Sequence, residues 1–334
     1  MSLTSHIRDP KSPVQNWFAS RLPNTRDSAA QANLTLRAGH KGPRWANTEG
    51  AHGPTVGTAA HFLLRAGLEP EAPYGFRTAV EGAGSLDAKP GDVPAAGSAA
   101  RAVFEAMPAI SGVSAACFGP AHLAALEAIG RIVELAPWDG RLRDEDWREL
   151  CALCLLIAAF EQCYHGGAVV VRQMRATRPA ARTRSLSDFR AALVRPLDLE
   201  DLIKLGRGAV DAFLAQVGGR PRPWHLNPTL AQGAALGGAD ADLICGGLLV
   251  EWKSSAETGI VGGTELWQLA GYLLADTPDE YRIRAVGVQA LRWDGWATWS
   301  ADGYLERLSG CDRSLPDWRA EFADMLRQAN FGGR

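Results

Sequence analysis

Asp240, Asp242, Glu251 and Lys253 stand in one short, otherwise apolar stretch that runs Ala239-Asp240-Ala241-Asp242-Leu243-Ile244-Cys245-Gly246-Gly247-Leu248-Leu249-Val250-Glu251-Trp252-Lys253. Gly246-Gly247 suits a two-residue hairpin turn, because both residues take positive φ without strain. A turn there pairs Cys245 with Leu248. Counting outwards, Asp242 falls opposite Glu251 and Asp240 opposite Lys253. Side chains alternate along a strand, so all four project from one face, and Leu243, Val250 and Trp252 line the other. Three acids and a lysine on an apolar hairpin are costly to bury without a purpose. A divalent cation offsets that cost, and carboxylate oxygens are hard ligands suited to Mg2+ or Mn2+. A neighbouring lysine orients or helps deprotonate a metal-bound water, and balances charge developing on a phosphate.

These residues resemble the signature of the PD-(D/E)XK nuclease superfamily, in its RecB-like branch. Asp242 takes the place of the first acid, and Glu251-Trp252-Lys253 that of the (D/E)XK tripeptide. Asp240 is either an outer partner that orients Lys253 or a replacement for Asp242. Further along, Gln268-Leu269-Ala270-Gly271-Tyr272 is similar to the QLxxY element of RecB-like nucleases, on a helical pattern that sets Gln268 and Tyr272 on one face. Far upstream, Gly57-Thr58-Ala59-Ala60-His61 resembles the GxxxH element, whose histidine ligates metal. The glutamate that some relatives carry three or four residues later is missing. The resemblance covers roughly residues 55–70 and 220–325. It implies a metal-dependent phosphodiesterase with Asp242, Glu251, Lys253 and Gln268 as catalytic residues. It also implies Asp242, Glu251 and His61 as ligands to Mg2+ or Mn2+. The substrate it implies is nucleic acid, DNA favoured over RNA, in a setting such as phage defence or repair. The alternative is a non-catalytic nucleic-acid-binding or partner-recruiting module on the same fold. No GxxxxGK[ST] loop is present, so ATP-driven translocation would come from a partner such as a helicase.

A formal net charge of -2 argues against binding nucleic acid by bulk charge, although local patches and a bound cation can supply positive potential. The arginines from Arg172 to Arg190 form a basic stretch that could hold phosphates. The six cysteines show no pairing framework of a secreted domain. The N-terminal stretch is polar and no apolar run reaches membrane-spanning length, which points to a cytoplasmic protein without membrane contact.

The elements that must carry these residues follow from composition and periodicity. Residues 1–54, rich in Gly, Pro, Asn and Arg, are expected to be loosely ordered or draped over the rest. Residues 55–197 should be mainly helical, with a helix at 57–66 that contributes to the site. Another helix is expected at about 144–164, ended by Gly166-Gly167. The nuclease core is expected over 198–330: a helix at 199–216, a short strand near Trp224, the hairpin, a helix at 264–275, strands at 283–293 and 296–300, and a last helix at 316–328. The fold class is therefore α/β. Its expected core is an αβββαβ arrangement of the restriction-endonuclease type, with a mostly helical N-terminal region.

Overall fold

A computed structural model of the chain describes residues 2–68, 79–80, 83, 120–135, 142–177, 185–220, 222–239 and 241–329, with backbone alone over 164–177. The chain opens with helices α1 (Leu3–Arg8), α2 (Pro13–Arg21) and α3 (Thr25–Leu36). Helices α4 (Gly53–Leu68), α5 (Pro120–Leu135), α6 (Asp144–Thr177), α7 (Leu186–Leu193) and α8 (Pro196–Val217) follow. Then come strands β1 (Trp224–Leu226), β2 (Leu243–Cys245) and β3 (Leu248–Lys253), helix α9 (Gly263–Ala275), and strands β4 (Ala285–Ala290) and β5 (Gly295–Ser300). Helices α10 (Ala301–Ser309) and α11 (Leu315–Gln328) close the described chain. No helix among the described residues is long and apolar enough to cross a membrane.

Two compact units share this chain. One joins its two ends, Met1–Ala46 and Ala212–Arg334, and the other is Asn47–Asp211. The first unit is built on a mixed sheet in the order β1-β2-β3-β4-β5. β1, β2 and β3 form an antiparallel meander, α9 carries the chain across, and β4 pairs parallel with β3. β5 returns antiparallel to β4. Parallel neighbours cannot be joined by a tight turn, so the crossover helix is required by the pairing itself.

Alternation along β3 divides its side chains between two layers. On one face Trp252 meets Phe213 of α8 edge-on, with ring centroids 5.5 Å apart, and Phe213 also contacts Trp296. On the other face Leu249, Val286, Val288 and Ala297 join a core with residues of the remaining helices, among them Leu3, Phe18, Leu36, Leu269, Tyr304 and Phe322. Glu251 and Lys253 share that second face with Leu249.

The structure departs from the expected loose N-terminal segment. Residues 3–36 are helical and supply one layer of this core. Ser12 caps α2 through Val14 N, with Pro13 in the first turn, where its missing N–H costs nothing. Phe18 stacks on Trp267 of α9, and Trp17 lies edge-on to Phe322 of α11. Two glycines sit in close contact with these helices. A Cβ on Gly271 would come within 2.7 Å of Leu3, and one on Gly295 within 1.6 Å of the Leu36 carbonyl oxygen. Asn33 also binds the loop before α9 reciprocally, donating to Val261 O and accepting from Val261 N.

In the second unit α4 and α5 both pack against α6. Cys151 and Cys154 lie buried on α6, and burial pushes both thiols well up. They behave as small core residues. The buried carboxylates of Asp201 and Asp198 accept from Thr48 N and His52 N, and so fix the segment that leads into α4. Helix α6 runs on through Gly166-Gly167 to Thr177, because glycine inside a helix costs only about 1 kcal/mol and packing can override it. Arg172 and Arg175 of the basic stretch are therefore on helical backbone, whereas Arg178, Arg182 and Arg184 lie outside the described residues. The boundary expected at 197/198 falls instead within α8, between Asp211 and Ala212.

Candidate active site

The hairpin has the expected register. Cys245 pairs with Leu248, Ile244 with Leu249 and Leu243 with Val250. Gly246 and Gly247 have φ of 52° and 74°, the left-handed conformations that a two-residue turn of this hand demands. Ladder pairing between β2 and β3 stops at Leu243 and Val250. In a continued ladder the next β3 donor facing β2 would be Trp252 N–H. The Asp242 side chain takes that position, and its Oδ2 accepts from Trp252 N at 2.8 Å. Asp242 is thereby tied to the strand that carries Glu251 and Lys253.

Glu251 and Lys253 stand two residues apart on one face, and Lys253 Nζ donates to Glu251 Oε1 at 2.8 Å. Asp242 and Glu251 are each only 6% exposed, and the Lys253 side chain 18%. Burial acts to lower the Lys253 ammonium, but the charges of Glu251, Asp242 and Glu265 outweigh it and raise its pKa above the ordinary 10.5. Beside these carboxylates the Lys253 side chain can donate hydrogen bonds and balance negative charge.

Glu265 was not anticipated from the sequence. It lies in the first turn of α9, and its Oε2 accepts from the backbone N–H of the N-cap residue Gly262 at 2.8 Å. The spacing of an acid three residues into a helix was the available signal, but that signal reports a helix start rather than a site. Gln268, one turn further on, is half-buried and donates from Nε2 to the Tyr272 hydroxyl at 2.5 Å. The two are paired along one helix face, as their spacing required. Tyr304 of α10 is fully buried and donates to Leu266 O. Burial, with the Glu251 charge adding to it, pushes its phenol well up.

The structure therefore brings Asp242, Glu251 and Lys253 together. His61 is on α4 in the second unit, half-buried, next to Phe62, over whose ring the Arg65 guanidinium lies at 5.5 Å. Asp240 lies outside the described residues. Among the described residues no cluster of three or more His, Cys, Asp or Glu side chains forms a ready metal cage. The chemistry of two buried carboxylates nevertheless fits a hard divalent cation, since Mg2+ is commonly held by one or two carboxylates and keeps several waters. No family model matches the chain, and neither a curated protein nor a solved structure does.

Proposed function

We propose that the chain is a Mg2+- or Mn2+-dependent nuclease that hydrolyses phosphodiester bonds, with DNA the favoured substrate. The observation that carries this reading is the buried Lys253–Glu251 ion pair on β3, the strand to which the Asp242 carboxylate is hydrogen-bonded through Trp252 N. Acids and a cation in that proximity serve no obvious packing need and match the demands of phosphoryl transfer to water. The element order adds support. Helix α8, the meander β1-β2-β3, helix α9 and a parallel β4 follow the αβββαβ order of a restriction-endonuclease-like core.

Asp242 and Glu251 would hold the ion, which when bound would polarise the phosphate and acidify a water. The part proposed for Lys253 is to position and help activate the attacking water, and to balance charge on the phosphate oxygens. Gln268, steadied by Tyr272, is the side chain proposed to orient substrate.

Purified protein should cut at least one of linear duplex, circular duplex, single-stranded DNA or RNA with magnesium or manganese, and none with EDTA. Lys253→Ala should abolish single-turnover cleavage while leaving the fold intact. Cleavage by Lys253→Ala at the wild-type rate would sink the mechanism. Metal-independent binding without cleavage would favour a non-catalytic nucleic-acid module on the same fold.

A further inference from the structure

Beyond Lys253 the chain leaves β3, and its next backbone carbonyls are met one by one by the turn between β4 and β5. Leu291 N donates to Lys253 O at 2.8 Å. Arg292 Nε donates to Ser254 O at 2.9 Å, and Trp293 Nε1 to Ser255 O at 3.2 Å. Three consecutive residues thus hold three consecutive carbonyls, the first of them that of Lys253 itself. Arg292 and Trp293 are both wholly buried. Arg292 also donates from Nη1 to Trp45 O at 3.2 Å, and its own carbonyl accepts from Trp45 N at 3.0 Å. At the rim Arg44 pairs with Asp294.

Burying a guanidinium is expensive, and an apolar side chain would fill the same volume at less cost. What an apolar residue could not do is reach two carbonyls from two different segments with fixed, directional donors. We propose that Arg292 and Trp293 are positioning residues: they fix the backbone at 253–255, and through it the place of the Lys253 ammonium against Glu251. The inference rests on the nuclease reading for the role of Lys253, but not for the geometry of the clamp. A single side chain aimed by two residues of another turn can lose its alignment while the fold survives. A displacement of about 1 Å at a reacting group can cost about a hundredfold in rate.

The test uses the full chain and three variants. Trp293→Phe keeps an aromatic ring in place and removes the N–H, together with part of the buried indole. Arg292→Met removes both donors, and Arg292→Lys retains one. Two readouts are taken on each. The first is independent of activity: the rate of acetylation at Lys253, measured by mass spectrometry against the other four lysines of the chain. The second is cleavage, as kcat and KM for the best substrate, alongside manganese affinity. Folded Trp293→Phe should label severalfold faster at Lys253 alone. Its kcat should fall about tenfold or more, with KM and manganese affinity unchanged. Arg292→Lys should recover part of what Arg292→Met loses. Should Arg292→Met fail to fold, Trp293→Phe decides. Wild-type labelling and kcat in folded Trp293→Phe would overturn the proposal and leave the turn as ordinary packing. If the wild type cuts no substrate, the nuclease reading fails on that result, and the labelling still decides the clamp.

Discussion

Asp242 has two separable duties, as a hydrogen-bond acceptor for Trp252 N–H and as one of the proposed pair of carboxylates for a cation. Asp242→Asn retains an oxygen for the backbone donor, whereas Asp242→Ala does not. Both variants should lose metal-dependent cleavage. In urea denaturation the alanine variant should be about 1 kcal/mol less stable than the asparagine one, the usual net value of a buried hydrogen bond. Equal stabilities would show that the acceptor role is negligible. A second carboxylate has a purely structural duty. Asp279 receives two hydrogen bonds from Arg284 and one from Arg319, and these hold its pKa at about 2, below the ordinary 3.8. A depressed pKa adds stability above 3.8 that is lost as pH falls towards 2. Asp279→Asn should therefore flatten the stability profile in that window, and an unchanged acid limb would contradict it. The residues that could do chemistry were legible because charge is rare in an apolar hairpin. Arg292 was not, since a single arginine in Ala290-Leu291-Arg292-Trp293 reads as one outward side chain of a strand expected at 283–293. The strand in fact ends at Ala290.

At the scale of elements, the hairpin could be read in register because a Gly-Gly turn and period-two alternation specify the same pairing. The N-terminal helices could not. α3 buries Thr25, Ser28, Ala29 and Ala32, so its inner face is too small and too polar to stand out as a hydrophobic stripe. Helix α10 was missed for a different reason. Its capping residues, Ser300 and a left-handed Gly310, were present, but the strand pattern before them drew attention to 296–300 instead. Small residues allow close approach, and this is where the docking of these elements can be tested. Gly295→Ala would set a methyl against backbone, the Leu36 carbonyl, which cannot move without shifting α3. It should cost about 3 kcal/mol or more. Gly271→Ala meets only the flexible end of Leu3 and should cost about 1 kcal/mol. Chemical denaturation of the two variants would check the ranking, and a reversed order would mean that α3 is not held where the structure has it.

The whole molecule divides differently from the order of its sequence, because the unit that holds the hairpin is assembled from both ends of the chain. A fragment of residues 198–330, the core expected from motif spacing alone, lacks the helices that cover Leu249, Leu269 and Tyr304. It should be poorly soluble, with no cooperative melting transition. Joining residues 1–46 to 212–334 through a flexible linker should restore a cooperative transition in near-ultraviolet circular dichroism. A stable, cooperative 198–330 fragment would count against the part assigned to α1–α3. The same division bears on how the protein is made. Helices α1–α3 leave the ribosome before the strands and helices that share their core, which are encoded from Trp224 onwards. Until then Phe18 and Leu36 lack the partners that bury them and are open to aggregation or to chaperones. Residues 47–211 are made before the strands, so joining the two ends into one unit is a late step that closes a long loop.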